Sequence, residues 1–574
     1  MLINYFKTAW RNLTRGNSFS AINIIGLSIG MTCCLIIFQY VTFETSFDDF
    51  HHNKSVLFRV LQGSARNDQP LEQLHGYTAQ ALTPALQTDV PEIVGITRLH
   101  NENAIVSTPS RPAEVFEESK ALYADQDFFK MFTFPMISGD RKLSSGKVFI
   151  SRTAAEKYFG NANAEGKVLE IVGNIRKAFT VAGVFQDVPS NSHLQFDMLL
   201  PMEDLLNGED YANEPEGGWS WNNFTTYVQL HPTASVSEVE EKMSGVLAKH
   251  RGDFYKEQGL RGGLGLQPLS DIHLNSQVFG AGTIVSGSYR TVYFFLVIGL
   301  CILVIALVNY INLATARAIN RAREVGVRKS VGARHTQLII QFLFESAFTN
   351  VSALIIALAL STILLPFIND LAETRLAIEQ WTRPEFVLAI VVMLVSGTVF
   401  AGLYPAFVLS SFRPATVLKG KIVSGRSGFG LRKALVVFQF AACIVLISGT
   451  AIVTRQLDYM RNMELGLNLK QVVSIHAPRV LSDDADRNAM LKTFANEVRR
   501  IPHVEAVAMS SALPGTGFNW NGASIRKAND IPANAIRGVA TYIDSAFAKL
   551  YGLELVAGND FGSETLVDTT SWLV

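Results

Sequence analysis

The sequence predicts an α-helical membrane protein with mixed α/β domains outside the bilayer, built on an internal duplication. Three observations carry this: five long stretches almost free of Asp, Glu, Lys and Arg, a basic run between two of them, and a segment that recurs 419 residues later.

The stretches are 16–43, 291–316, 335–369, 386–412 and 434–454. A span needs about 20 mostly apolar residues, so each is long enough to cross. Glu345 interrupts the third, whose spanning part is therefore drawn as 347–369, with 335–344 an amphipathic lead-in at the inner interface. Composition agrees: 17% charged and 48% hydrophobic residues, with mean hydropathy +0.21, lie on the apolar side of soluble domains, which run at about 25% charged. A cleavable signal peptide is a poor account of the first stretch, which is about twice a typical signal core and has no A-x-A-like site after Val41.

Net charge is zero, 50 basic against 50 acidic residues, but the sum hides an asymmetry along the chain. Lys7, Arg11 and Arg15 precede the first stretch, and Glu44, Asp48 and Asp49 follow it, which puts the amino terminus in the cytoplasm. Counting forward, 317–334 falls inside with six basic residues and one acid, 370–385 outside with four acids and two bases, and 413–433 inside with six bases and no acid. Each short flank obeys the positive-inside rule.

The organisation that follows begins with an interfacial helix over 1–15, where Leu2, Ile3, Phe6, Trp10 and Leu13 share one stripe. The first span is 16–43, and 44–290 forms a first external α/β domain. A three-span region covers 291–412 with a basic loop at 317–334; a cytoplasmic linker 413–433, a fifth span 434–454 and a second external domain 455–574 complete the chain. Within the first domain, strands are predicted at 148–150, 168–172, 179–185, 224–230 and 264–269. Helices are predicted at 151–159, capped by Ser151 and ended by Gly160, and at 235–248. Pro189-Ser-Asn-Ser-His193 reads as turn chemistry.

Catalytic and metal signatures are absent from the sequence. Cys33, Cys34, Cys301 and Cys443 all fall in predicted spans, where they pack as small apolar residues. His51, His52 and His193 are isolated from other ligand types at metal spacing. Gly160-Asn-Ala-Asn-Ala-Glu-Gly166-Lys167 has one residue too many for a phosphate loop and lacks the following Ser/Thr. No cofactor and no nucleic-acid partner are expected.

The repeat is Asp125–Asp140, returning as Asp544–Asn559. The same offset carries the first uncharged stretch to 435–462, where one is found at 434–454. Continued, it predicts a second half ending near residue 831 and eight spans in all, the given chain being incomplete at its carboxyl end.

Four groups of residues resemble the MacB/FtsX/LolC-type permeases of ABC transporters, in their doubled, stand-alone bacterial form. These are Lys7-Thr-Ala-Trp10-Arg11-Asn12-Leu13; Val181-Ala-Gly183-Val-Phe185-Gln-Asp187-Val-Pro189; Glu324-Val-Gly326-Val-Arg328-Lys329-Ser330-Val331-Gly332-Ala333; and Gly402-Leu-Tyr404-Pro405-Ala406. The resemblance implies an FtsX-like permease with a MacB-type periplasmic domain in the bacterial inner membrane. It also implies a coupling helix whose Glu324, Gly326, Arg328, Lys329 and Gly332 meet a dimeric cytoplasmic ATPase that holds ATP and Mg, and it allows a periplasmic adaptor or outer-membrane duct as a further partner. Read from the residues alone, the basic run is equally a cationic knob, with glycines such as Gly326 and Gly332 letting the chain turn at its ends, that docks into a cleft on a soluble partner, or charge that merely holds topology and touches anionic lipid. Gly402 and Pro405 should kink or end the fourth span, as a static bend or as a hinge. The implied role is export, efflux or lipoprotein release driven by the partner's ATP hydrolysis; the alternative is a membrane-anchored receptor or scaffold working without ATP.

Overall fold

A computed structural model describes residues 17–66, 69–160, 163–275, 278, 287–331, 334–372, 374–410, 426–463, 466–475, 484–514, 520–525, 527 and 536–556. The expected interfacial helix 1–15 and most of the linker 413–433 lie outside these residues.

The chain enters with helix α1 (Asn17–Thr45), then builds a domain. Its strands and helices are β1 (Leu57–Ala65), β2 (Glu72–His75), β3 (Thr78–Ala79), α2 (Leu82–Asp89), β4 (Ile93–Thr108), β5 (Arg111–Ala124), α3 (Phe128–Met131), β6 (Met136–Gly139) and β7 (Lys147–Ser151). There follow α4 (Arg152–Phe159), β8 (Val168–Val172), β9 (Arg176–Phe185), β10 (Met198–Pro201), α5 (Met202–Leu206), α6 (Glu209–Ala212), β11 (Asn222–Leu230), α7 (Val236–Glu257) and β12 (Arg261–Pro268).

Twelve strands form one sheet in the order β12-β1-β11-β4-β5-β10-β7-β9-β6, with β2 on β1, β3 on β11 and β8 bridging β4 and β9. Length explains the division into lobes. At 16 residues, β4 is long enough to pair with β11 through Ile93–Leu99 and then with β8 through Ile105–Ser107. Helices α2 and α7 cover the first lobe and bury Leu86, Val239, Met243 and Leu247 against Val60 and Val228. Each such side chain is worth about 1.5–3 kcal/mol when fully buried. An aromatic cluster containing Phe128, Phe132, Phe134, Phe185 and Phe196 fills the centre. In the second lobe Ser151 caps α4 by accepting the Ala154 N–H, and Gly160 ends it at φ 61°.

The membrane part is helical, as it must be where no water can satisfy backbone groups. Its remaining helices are α8 (Tyr289–Ser330), α9 (His335–Ala372), α10 (Pro384–Ser410) and α11 (Arg426–Asn462). Among the described residues, four helical stretches are long and apolar enough to cross: Ser20–Thr45, Tyr289–Leu313, Thr336–Ala372 and Lys433–Asn462; Pro384–Phe400 is a shorter apolar one within α10. Small residues set the helix contacts. A Cβ on Gly30 would come within 2.6 Å of the Ala306 methyl, and one on Gly26 would touch Asn309 at 3.5 Å, so α1 and α8 meet through a small-xxx-small stripe.

Two expectations are corrected. The basic segment 317–334 is helical through Ser330, as the continuation of α8, and Gly326 lies inside that helix instead of turning it. The third span has no separate lead-in: α9 is one helix of 38 residues, with Glu345 in its body.

Beyond α11 the described elements are α12 (Asp484–Arg499), the hairpin β13 (Trp520–Ile525) and β14 (Ile536–Ala540), and α13 (Phe547–Tyr551). The repeated motif keeps its local geometry. Asp125 accepts the Arg98 N–H on its carboxylate at 2.7 Å while its carbonyl accepts from the Phe128 N–H; Asp544 does the same with Met509 at 2.9 Å and Phe547.

Loss of one helix cap typically costs about 1 kcal/mol. Ser151→Ala is therefore expected to lower the thermal midpoint of the first domain by a few degrees in the intact chain, checked by differential scanning fluorimetry in detergent.

Candidate functional site

The 42 residues of α8 give it a length of about 63 Å at 1.5 Å per residue, roughly twice a bilayer core. Its uncharged stretch ends at Ala316, and the remaining turns carry the basic residues from Arg317 on. Glu324, Gly326, Arg328 and Lys329 are therefore on a helical rod continuous with the span, while Gly332 lies outside the described residues. Val327 and Ser330 on this extension are exposed.

The opposite end of α8 is tied to the domain and to α1. His273, 2% exposed, places Nε2 2.9 Å from Glu44 Oε2 at the end of α1, and its ring stacks on Phe47 with centroids 3.3 Å apart and planes 1° from parallel. Gly287 closes the approach: its N–H donates to the His273 carbonyl at 2.7 Å, and a Cβ there would lie 2.5 Å from Glu44 Oε2. Tyr289 N–H donates to the Leu274 carbonyl, so α8 starts from this contact.

Just beyond α1 the chain turns through Asp48 at φ 60°, a left-handed conformation that non-glycine residues seldom adopt. Tertiary contacts hold it there. The Asp48 N–H donates to the Asn191 carbonyl, and its carboxylate accepts from the Ser192 hydroxyl and the His193 N–H, each at 3.1 Å. His193 Nδ1 lies 2.8 Å from the same carboxylate, and His193 Nε2 is 2.9 Å from the Tyr227 hydroxyl. Asn191 also donates to the Ser46 carbonyl. Next to Tyr227 across the β1–β11 ladder is Arg59, 1% exposed, whose Nε and Nη2 donate to Gln267 Oε1.

The electrostatics follow burial. Desolvation alone would raise the Asp48 carboxyl, but His193 and His51 outweigh it and hold it below the usual range. Burial pushes the His51 imidazole down to about 4, against an opposing pull from Asp48. His51 is neutral at physiological pH and accepts the Thr133 N–H on Nδ1. Burial likewise raises the Tyr227 phenol and lowers the Arg59 guanidinium.

In the sequence His51 and His193 stand apart from other ligand types, and 189–193 has the composition of a plain turn. The fold brings both histidines onto Asp48, and no group of three or more metal-ligating side chains occurs among the described residues. The only available signal was the excess of His, Asp and Asn at the two places where chain leaves a span or a strand.

Gly402 serves packing. A Cβ there would sit 2.8 Å from Leu343 Cδ2 and 3.2 Å from Ser346 Oγ on α9, so the glycine lets α10 lie close. The helix does not end at Pro405 but runs on to Ser410.

Comparison with known proteins completes the picture. The family described as MacB-like periplasmic core domain matches residues 20–246, and that described as FtsX-like permease C-terminal matches 263–414. The macrolide export ATP-binding/permease protein MacB of Chlorobium luteolum is 25% identical over 284 residues, which is 47% of this chain and 37% of that protein. MacB of Haemophilus ducreyi is 30% identical over 116 residues, 20% of this chain and 16% of the relative. The chain thus spans well under half the length of these curated relatives. Among solved structures, a domain of a permease protein from Porphyromonas gingivalis aligns at 25% identity and TM-score 0.33, covering 38% of this chain and 91% of that one. The periplasmic region of MacB from Actinobacillus actinomycetemcomitans aligns at 14% identity and TM-score 0.28, with the same coverages.

The His51 shift has a testable sign. Its folded pKa of about 4 lies below the ordinary 6.5, so the unfolded chain binds this proton first. Stability present above pH 6.5 is therefore lost as pH falls toward 4, by on the order of 3 kcal/mol at most. Amide exchange of residues 48–52, corrected for intrinsic chemistry, should accelerate over that window, and His51→Gln should flatten the dependence.

Proposed function

The chain belongs to the MacB/FtsX-type permeases, and we propose that it is the membrane subunit of an ATP-driven transporter whose energy comes from a separate cytoplasmic ATPase. The observation that carries this reading is the continuity of α8, which joins the basic extension to the domain contact in one rod. Nucleotide-driven closure of the ATPase pushes on Glu324, Arg328 and Lys329, α8 tilts, and the domain outside the membrane moves with it. A straight helix of good formers such as Ala, Arg, Glu and Lys suits this task, because it resists bending where a loop would absorb the push.

The orientation that serves this function puts the basic extension in the cytosol and the α/β domain across the bacterial inner membrane. Charge supports it: the basic residues cluster at 317–334 and 413–433, and acids flank the other ends of the spans. Substrate is moved or released by the external domains and need not cross through the spans, which hold few ionisable residues; export, efflux and lipoprotein release all fit.

Two experiments test the reading. Co-expressed with its ATPase, the chain should copurify with it and stimulate vanadate-sensitive hydrolysis, and Glu324→Lys or Arg328→Glu should reduce that stimulation about tenfold or more, the loss of roughly one charge-assisted contact. A chain that binds and stimulates no ATPase points instead to a receptor or scaffold. In intact cells, an impermeant thiol reagent should label a cysteine at Ser237 on α7 and miss one at Ser330, both exposed positions. The reverse pattern would invert the topology.

A further inference from the structure

Helices α1 and α8 are joined in two ways at the membrane exit. One is direct, through Glu44, Phe47 and His273. The other runs through the base of the domain. From Asp48 it passes to His193, to the Tyr227 hydroxyl, across the ladder to Arg59, and on to Gln267. Gln267 Nε2 reaches the Asp271 carbonyl at 3.4 Å, two residues before His273, and Asp271 accepts from Asn275 at 3.0 Å. The two routes close a ring.

Seven side chains on that ring are buried, Asp48, His193, Tyr227 and Arg59 at 1% exposure or less, Gln267 at 4%, His273 at 2% and Glu44 at 7%, and Asp271 is half-buried. Polar groups at such depth are a poor way to gain stability, because well-packed apolar residues of like volume do as well or better. They differ from apolar packing in direction: a hydrogen-bonded contact fixes angle and register, whereas greasy surfaces can slide. Arg59 sharpens the point, since its Nη1 has no hydrogen-bond partner and the guanidinium remains in the core. The left-handed Asp48 shows that the surroundings over-determine this turn.

We propose that this ring is the fastening by which α1 and α8 turn the domain as one body, with His273 as the positioning residue that locks the two helices together. The role rests on the transporter reading given above. The Glu44–His273 contact holds the exits of both helices in register, and the arm through His193 and Arg59 carries their motion into β1, β11 and β12. Without His273, α8 can move at the membrane exit while the domain stays behind.

The test uses the full chain with its ATPase in lipid nanodiscs, spin-labelled at cysteines replacing Glu117 on β5 and Ser330 on α8, both exposed, in a background lacking the four native cysteines. Pulsed electron paramagnetic resonance should show a change in the label distance between the nucleotide-free and vanadate-trapped states. With His273→Ala or Glu44→Ala that change should fall to about half or less, while ATP hydrolysis stays within about twofold of the parent, since the basic extension is untouched. Glu44→Gln, which keeps an oxygen for His273 to bond, should restore the full change. A His273→Ala chain that moves like the parent overturns the proposal.

Failure of the transporter reading is separable, because it appears as no hydrolysis stimulated by the unaltered chain. In that event, and equally if the variant with ATPase is unstable, amide exchange on the unpartnered chain decides. His273→Ala, or the milder Phe47→Leu, should speed exchange at Asp48 and His193, on the far arm of the ring, by about tenfold. Unchanged exchange there means that the ring is not one unit, and the proposal falls.

Discussion

The bilayer's refusal of unpaired backbone polar groups governs this molecule. It forces each crossing to be helical, and it makes a helix that starts at the domain and ends beyond the membrane the simplest stiff connection between two aqueous compartments. Helix α8 takes that solution further than the membrane needs. With 42 residues it continues past its apolar part while the charge pattern changes, and no break separates the two. A rod of this kind transmits tilt and translation. A rod that slips on the domain at its outer end transmits nothing, so the proposed role needs the contacts at Tyr289, Gly287 and His273 as much as the basic residues at the other end.

Energies at that outer end favour specificity over stability. The Phe47–His273 stack and the surrounding apolar contacts from Phe43 and Leu376 supply burial. The Glu44–His273 hydrogen bond adds on the order of 1 kcal/mol net, and leaving either partner buried alone would cost more than the bond contributes. Truncation of one partner is thus punished more than replacement of both. Similar logic applies at Asp48, where a strained backbone and a buried carboxylate persist because four separate groups bind them. The packing around the two sites also differs in kind from the centre of the domain, where Phe128, Phe134 and Phe196 tolerate no water and need no direction.

Much of the fold was legible in the sequence because its signals are local. Short runs rich in apolar and β-branched residues at 168–172, 179–185 and 224–230 mark β8 and the core of β9 and β11; Ser151 and Gly160 bound α4 through cap chemistry that needs only nearby residues. Charge-free length located the spans. What escaped was of two sorts. The continuation of α8 past Arg317 is masked by its charge, which resembles that of a loop between spans, although Ala, Arg, Glu and Lys are strong helix formers and one glycine costs only about 1 kcal/mol in a helix. The junction escaped because its members are far apart: Asp48 and His193, or Glu44 and His273, meet only after a whole domain has folded between them. A pattern search over neighbouring residues has no access to such pairs.

Gly402 shows how a residue can be found for one reason and kept for another. Beside a proline, it suggests a place for the helix to bend. In the fold it lies against Leu343 and Ser346, and one turn or so earlier Gly397 lies against Asn350, where a Cβ would sit 2.6 Å from Oδ1. Ser346 in turn meets the Tyr310 hydroxyl of α8 at 3.2 Å. Close backbone approach at two points on α10, with polar groups between α8 and α9, holds these three helices in one register. Helix α1 joins them through Gly26 and Gly30. In the coupling proposed above, these contacts tie the four helices together, so displacement entering at the basic end of α8 is expressed at the helix exits beneath the domain.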